Sequence, residues 1–377
     1  MKQRKKIGIL THYYNSLNYG GNLQAYALVK FLNMNNYIAE QVCYNRNKNI
    51  EKIKKQLFIK YCYTLRDFIF HHKILRNIKI REKKIKYFNK HLIPHSNDIY
   101  TDNDIENITE KYDILVTGSD QVWHPNAVTD AYLLNFSKKE ISKISYAASV
   151  ATDDIDSEKQ KKYRQALSDY AAISVRELDT VEMIKKISGR RDVELTLDPI
   201  FLISKNDWND IIPENLINKK YIFCYFLSNS LEIRKIARDY AEKFGYTVVT
   251  IPFLEGVYRK SEEVYGNNSQ YYYASPVEFI SLIANSEVVF TDSFHAVAFS
   301  ILFSKQFFCF GRKNYSGMAT RIQSILNIFK IENRFIKDYH LISISELENI
   351  SRIKYKENKV FNDLLERSKY FLLDNIK

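Results

Sequence analysis

Ser286-Glu287-Val288-Val289-Phe290-Thr291-Asp292-Ser293-Phe294-His295-Ala296-Val297-Ala298-Phe299-Ser300-Ile301-Leu302-Phe303 carries a short apolar, β-branched run into three small polar residues and then into an apolar run of helical length. That pattern reads as strand, tight turn, helix. Thr291, Asp292 and Ser293 are all N-cap residues, so the helix is expected to start among them with His295 in its first turn. Spare backbone N–H donors and the positive end of the helix dipole make such a turn an anion site. Open α/β sheets bind ligands at these junctions. His295 is therefore the first candidate for an active centre, against the alternative of a structural histidine at an ordinary turn.

Outward from this stretch the same alternation recurs. Residues 6–10 form an apolar strand, and Asn22 is placed to cap a helix over 23–32 behind the loop glycines Gly20 and Gly21. Adjacent glycines let a backbone approach a ligand closely, although an ordinary βα turn has the same look. Further strands are expected at 37–44, 113–117, 143–149 and 171–175, with a helix at 158–170. After a polar stretch at 204–220, strands at 221–227, 247–251 and 306–310 alternate with helices at 233–244 and 276–284. This predicts an α/β fold of two doubly wound, Rossmann-like domains facing a cleft, in a GT-B-like arrangement. The expected division is 1–204 with a basic helical insertion at 46–92, then 205–343, then a helical segment 344–377 that packs back on the first domain.

Composition narrows the class. The chain has 377 residues, 45% hydrophobic and 27% charged, as ordinary globular proteins do. No run of uncharged apolar residues is long enough to span a membrane, and the apolar part of the basic start is too short for a signal peptide, so a cytoplasmic location is expected. The cysteines at 43, 62, 224 and 309 show no metal-binding spacing. The net charge is +12, and residues 46–90 hold 15 lysines and arginines against Glu51, Asp67 and Glu82. Interleaved with Leu57, Phe58, Tyr61 and Phe68, these cations suit contact with an anionic membrane at its inner face. A solvated helical insertion is the plain alternative, and no nucleic-acid motif accompanies the stretch.

Several strand ends offer chemistry. Gly118-Ser119-Asp120-Gln121-Val122-Trp123 follows a buried strand, and Ser119, Asp120 and Gln121 suit sugar hydroxyls, while Trp123 fits either a sugar face or the core. Arg176 ends the strand 171–175, where a guanidinium grips a carboxylate or phosphate, or else pairs with Glu177 or Asp179. Asp198-Pro199 reads as a turn. Arg312, Lys313 and Arg321 follow the strand 306–310 as a basic loop and helix start that would focus an anion.

Six blocks, NYGGNLQAYAL from Asn18, VTGSDQVW from Val116, SYAASVA from Ser145, ISVRE from Ile173, LDPIFLI from Leu197 and TDSFHA from Thr291, resemble the polysaccharide pyruvyl transferase family in content and order. The likeness spans Lys6 to Phe335. It implies transfer of the enolpyruvyl group of phosphoenolpyruvate to two hydroxyls of a sugar, on a polysaccharide or lipid-linked precursor, leaving a pyruvate ketal and phosphate without a metal or further cofactor. By that resemblance Arg176, Ser293, His295, Arg312, Lys313 and Arg321 bind the donor. His295 acts as acid or phosphate stabiliser, with Asp120 or Asp292 taking a hydroxyl proton. Gly20, Gly21, Asn22, Gln24, Ser119, Gln121 and Trp123 are expected to face the acceptor. Many relatives have arginine where this chain has Ser293; the subgroup that shares the SFH pattern commonly has glycine where this chain has Ala296. A GT-B-type glycosyltransferase using a nucleotide sugar, and a catalytically silent sugar- or membrane-binding protein, are the alternatives.

Overall fold

The structure, a computed structural model, describes residues 4–46, 76–136, 140–253, 269–271, 273–312, 316–340, 342–350, 352–355 and 358–377. The expectations for the basic insertion fall mostly on residues 47–75, and that for Lys313 on a neighbouring gap, all outside the described residues.

Two parallel sheets carry the chain. The first is 7-stranded, in the order β3-β2-β1-β4-β5-β6-β7. Its strands are β1 (Lys6–Leu10), β2 (Ile38–Tyr44), β3 (His95–Tyr100), β4 (Ile114–Thr117), β5 (Ser142–Ala148), β6 (Ala172–Val175) and β7 (Val193–Leu195). The second is 6-stranded, in the order β10-β9-β8-β11-β12-β13. It comprises β8 (Tyr221–Tyr225), β9 (Thr247–Thr250), β10 (Ser269–Gln270), β11 (Val288–Thr291), β12 (Gln306–Phe310) and β13 (Phe335–Ile336). The central strands β4, β6, β8 and β11 are buried at every position, as parallel strands covered on both faces must be. This is the α/β, doubly wound pair the alternation predicts.

The helices are α1 (Tyr19–Met34), α2 over 76–92, α3 (Ser157–Leu167), α4 (Leu178–Ser188), α5 (Lys205–Asn209), α6 (Leu231–Phe244), α7 (Pro276–Ala284), α8 (Phe294–Leu302), α9 (Ser316–Phe329), α10 (Ile344–Asn349) and α11 (Lys359–Asn375). The start of α1 departs from the sequence reading. Asn18, not Asn22, caps it, with Oδ1 accepting from the Gly21 N–H at 3.2 Å, so Gly20 and Gly21 belong to its first turn. Nearly every residue of α1 from Tyr19 to Leu32 is buried, because the helix lies between the two sheets. Tyr19 stacks on Phe279 of α7 at 5.0 Å and donates to the Ala274 carbonyl at 2.7 Å. Trp208 of α5 packs on both Tyr26 and Phe299, so one apolar core runs across both sheets.

At the C-terminus, α11 returns to the first sheet. The Leu197 N–H donates to Ser368 Oγ at 2.9 Å, and Phe361 meets Phe201 edge-on at 5.3 Å.

Candidate active site

Ligand crevices in open parallel sheets form at the carboxyl ends of the strands where winding reverses. Here the reversals fall between β1 and β4 and between β8 and β11. The two ends face each other across α1. The first sheet contributes His12 after β1, Asp120 after β4, Arg176 after β6 and Asp198 after β7; the second contributes Asp292, Ser293 and His295 after β11.

Arg176 is 6% exposed and ringed by carboxylates. Its Nη1 donates to Asp198 Oδ2 at 2.6 Å, its Nε to Glu177 Oε1 at 3.3 Å, and its Nη2 lies 3.7 Å from Asp120 Oδ1. The guanidinium rests 4.4 Å above the Phe294 ring. His295 Nε2 lies 3.6 Å from that same Asp198 oxygen and has no hydrogen-bond partner among the described residues. The guanidinium of one sheet and the imidazole of the other therefore meet on a single carboxylate. The ion pair with Glu177 that the sequence allows is present, but the stronger partner is Asp198, which the sequence presents only as a turn. It does make that turn, its Oδ1 accepting from the Ile200 N–H at 3.1 Å.

The charges tune one another. Burial opposes ionisation of Asp198, but His295 and Arg176 outweigh it and hold the carboxyl at about 2. Burial likewise opposes ionisation of Asp120, yet His295, Arg176, His12 and Arg321 hold it below the ordinary value. Burial pushes the His12 imidazole below its ordinary pKa, against the pull of Asp120.

Arg321 is different. It is 4% exposed, and burial together with repulsion from Arg176 pushes its guanidinium down to about 10. Gln121, its carboxamide oriented with oxygen toward the guanidinium, accepts from Nη2 at 2.6 Å and Nη1 at 3.0 Å, while Nε has no partner among the described residues. A buried cation whose only hydrogen-bond acceptor among the described residues is a neutral amide is incompletely compensated. Arg176, Asp198, Phe294, Thr320 and Arg321 line a cavity of about 540 Å³ together with Leu178, Ile325, Val360 and Leu364.

The remaining candidates take other places. Asp292 is not available as a base: its Oδ1 accepts from the Leu227 N–H at 2.6 Å, its Oδ2 from the Ser228 N–H at 2.9 Å, and Arg312 Nε lies 3.4 Å away. Arg312 is itself bound to the Asp292 carbonyl, its Nη2 donating at 2.7 Å. Ser293 is the N-cap of α8 as expected, without a side-chain cap bond. Asn22, Gln24 and Ser119 are fully buried and hydrogen-bonded within the protein, which removes them as acceptor contacts. Asn22 bonds the Ser16 carbonyl and Asn89; Gln24 bonds Thr11, Gly21 and the Ser119 N–H; Ser119 Oγ donates to the Ala147 carbonyl. Trp123 is core, its Nε1 donating to Tyr132 at 3.2 Å.

Gly20 and Gly21 serve packing. A Cβ on Gly20 would overlap Nδ1 and Cγ of His295, and one on Gly21 would stand 3.4 Å from Asp120 Oδ2. The sequence reading missed Asp198, His12 and the glycine–histidine contact. Among the described residues no group of His, Cys, Asp and Glu could hold a metal ion.

Residues 18–314 match the family described as polysaccharide pyruvyl transferase. The chain belongs to that family. No curated protein sequence matches it. Among solved structures, the UDP-N-acetylglucosamine 2-epimerase from Rickettsia bellii is similar with a TM-score of 0.58 at 9% identity, covering 99% of this chain and 97% of that one. The UDP-GlcNAc 2-epimerase from Methanocaldococcus jannaschii gives 0.55 at 11%, covering 97% and 99%. At such identities the likeness concerns the fold, and it makes this pyruvyl transferase family member GT-B-type. No described helix is long and apolar enough to cross a membrane.

Proposed function

We propose that the chain transfers the enolpyruvyl group of phosphoenolpyruvate to two hydroxyls of a sugar, forming a cyclic pyruvate ketal and releasing phosphate. The observation that carries this reading is Arg321. It is a buried guanidinium beside Arg176, lining a cavity, with a neutral amide as its only hydrogen-bond acceptor among the described residues. A small dianion would complete its compensation, and a donor bearing both carboxylate and phosphate has the required charges.

In this reading His295 gives a proton to the methylene carbon of the donor, and the carbon bearing the phosphate becomes oxocarbenium-like. One sugar hydroxyl bonds to that carbon and passes its proton to the Asp120 carboxylate. The carbon–oxygen bond to phosphate then breaks, with phosphate leaving on the proton from Asp120. The second hydroxyl closes the ketal and returns a proton to His295. Asp198 holds the imidazole and the Arg176 guanidinium in one arrangement, so the proton source and the anion grip stay in register.

The test supplies the protein with phosphoenolpyruvate and a panel of mono- and oligosaccharides, following phosphate release and the new ketal methyl resonance. His295→Gln is expected to lower turnover by at least about a hundredfold. Nucleotide release from a nucleotide sugar in place of phosphate release would overturn the reading. Arg176→Ala is the poorer probe, because it strands three buried carboxylates at a cost of about 3–5 kcal/mol.

A further inference from the structure

A second cavity of about 600 Å³ lies between the end of α9, residues 352–355 and the start of α11. Lys330, Arg334, Arg352, Lys354 and Lys359 line it, and among the described residues no carboxylate does. Lys330, Arg352, Lys354 and Lys359 are exposed, and none of the four is held in an ion pair among the described residues. A cation cluster kept open to solvent in this way raises the local concentration of anions.

Its floor is fixed. The Gln306 carboxamide takes the Ile353 N–H at 2.8 Å and donates to the Ile353 carbonyl at 3.0 Å, while the Tyr355 hydroxyl donates to the Lys305 carbonyl at 2.6 Å. Arg334 beneath is anchored over the Phe308 ring at 5.1 Å. Val360 is a wall of this cavity and also of the cavity that Arg176 and Arg321 line, so the two are neighbours across one side chain.

We propose that this basic cavity binds an anionic group, phosphate or carboxylate, carried by the same acceptor whose sugar is modified. The proposal rests on the transfer reading for the identity of the acceptor. The site itself rests on its own charges. A sugar reacting at Arg176 would lay its next segment over Val360, and a negatively charged segment would be held by Lys330, Arg352 and Lys354. A neutral acceptor would gain nothing there.

The experiment titrates the full chain at low salt, calorimetrically, with inorganic pyrophosphate and with trigalacturonate. Binding of either probe that the charge reversal below weakens supports the site, and the tighter such probe names the anion. The variant Lys330→Glu, Arg352→Glu, Lys354→Glu is expected to lose at least about tenfold in affinity, since even one charge-assisted contact is worth roughly that factor. Arg321→Gln is expected to bind within about threefold of the parent. Lys354→Glu alone, with an expected loss of about tenfold, replaces the triple variant should it not fold. No binding by the parent protein, unchanged affinity in the charge-reversed variant, or an equal loss in Arg321→Gln overturns the proposal. Phosphate release from phosphoenolpyruvate is followed separately. Its absence would refute the transfer reading without altering the titration.

Discussion

The contact between Gly20 and His295 gives a prediction that separates a working histidine from a merely buried one. A Cβ added at Gly20 would lie 2.8 Å from His295 Cβ and closer still to Nδ1 and Cγ, below the 3.0 Å that real Cβ atoms respect. Because α1 is buried between the sheets it cannot move away, so Gly20→Ala must displace the imidazole. Overpacking of this kind costs about 1–3 kcal/mol. The better helix propensity of alanine returns only about 0.5–1 kcal/mol.

A ring displaced by an ångström or more loses its hold on Asp198, and misplacement on that scale costs roughly a hundredfold in rate. Arg176 and Arg321 are untouched, so the KM for phosphoenolpyruvate should stay close to the parent value while kcat falls. Combining the change with His295→Ala removes the overlaps with Nδ1 and Cγ and keeps the 2.8 Å approach to Cβ, so the greater part of the overpacking is relieved. Gly20→Ala should therefore lower the thermal midpoint by a few degrees in the parent and by much less beside His295→Ala, a coupling of about 1 kcal/mol or more. A parent-like midpoint and turnover in Gly20→Ala would refute the argument.

Arg321→Gln should weaken phosphoenolpyruvate binding by at least about tenfold without lowering the stability of the free protein, since it removes an incompletely compensated buried charge; a large loss of stability would count against that picture. Asp292→Asn should cost about 1–3 kcal/mol, because its carboxylate holds two backbone N–H groups, while kcat stays within about threefold; a collapse in kcat at unchanged stability would restore Asp292 as a base. The Asp198 carboxyl, held at about 2 against an ordinary 3.8, contributes stability that is fully present above 3.8 and lost as pH falls from there toward 2. That contribution is about 2 kcal/mol. The stability difference between the parent and Asp198→Asn should accordingly shrink below pH 4 in acid titrations, and a constant difference would contradict it.

The fold was legible because local and global signals agree. Ser275-Pro276 starts α7 with a complete capping box, Gly245 ends α6 at φ 68°, and the apolar runs at 221–225 and 288–291 became buried central strands. The start of α1 was not, because two glycines argue against a helix by propensity. They are in the helix all the same, since a side chain at residue 20 would occupy the space of residue 295. Propensity is a local quantity, and this contact joins opposite sheets.

The site was half legible for a related reason. Arg176 and His295 stand out because a cation at a strand end and a histidine in a first helical turn are chemically unusual where they stand. Asp198 does not stand out, because its one readable feature, the turn with Pro199, is real and explains it locally. Its second oxygen does the work that sequence cannot display, accepting from a guanidinium 22 positions earlier and facing an imidazole from the other sheet. The polar string after β4 misled in the opposite direction, since Ser119 is spent on the Ala147 carbonyl and Trp123 on the core, leaving Asp120 and Gln121 to face the cations. Polarity at a strand end thus marks where hydrogen bonds are needed, and only the partner decides whether the need belongs to the fold or to a ligand. At Arg321 the acceptor within the protein is a neutral amide, and the unmet requirement there is for negative charge.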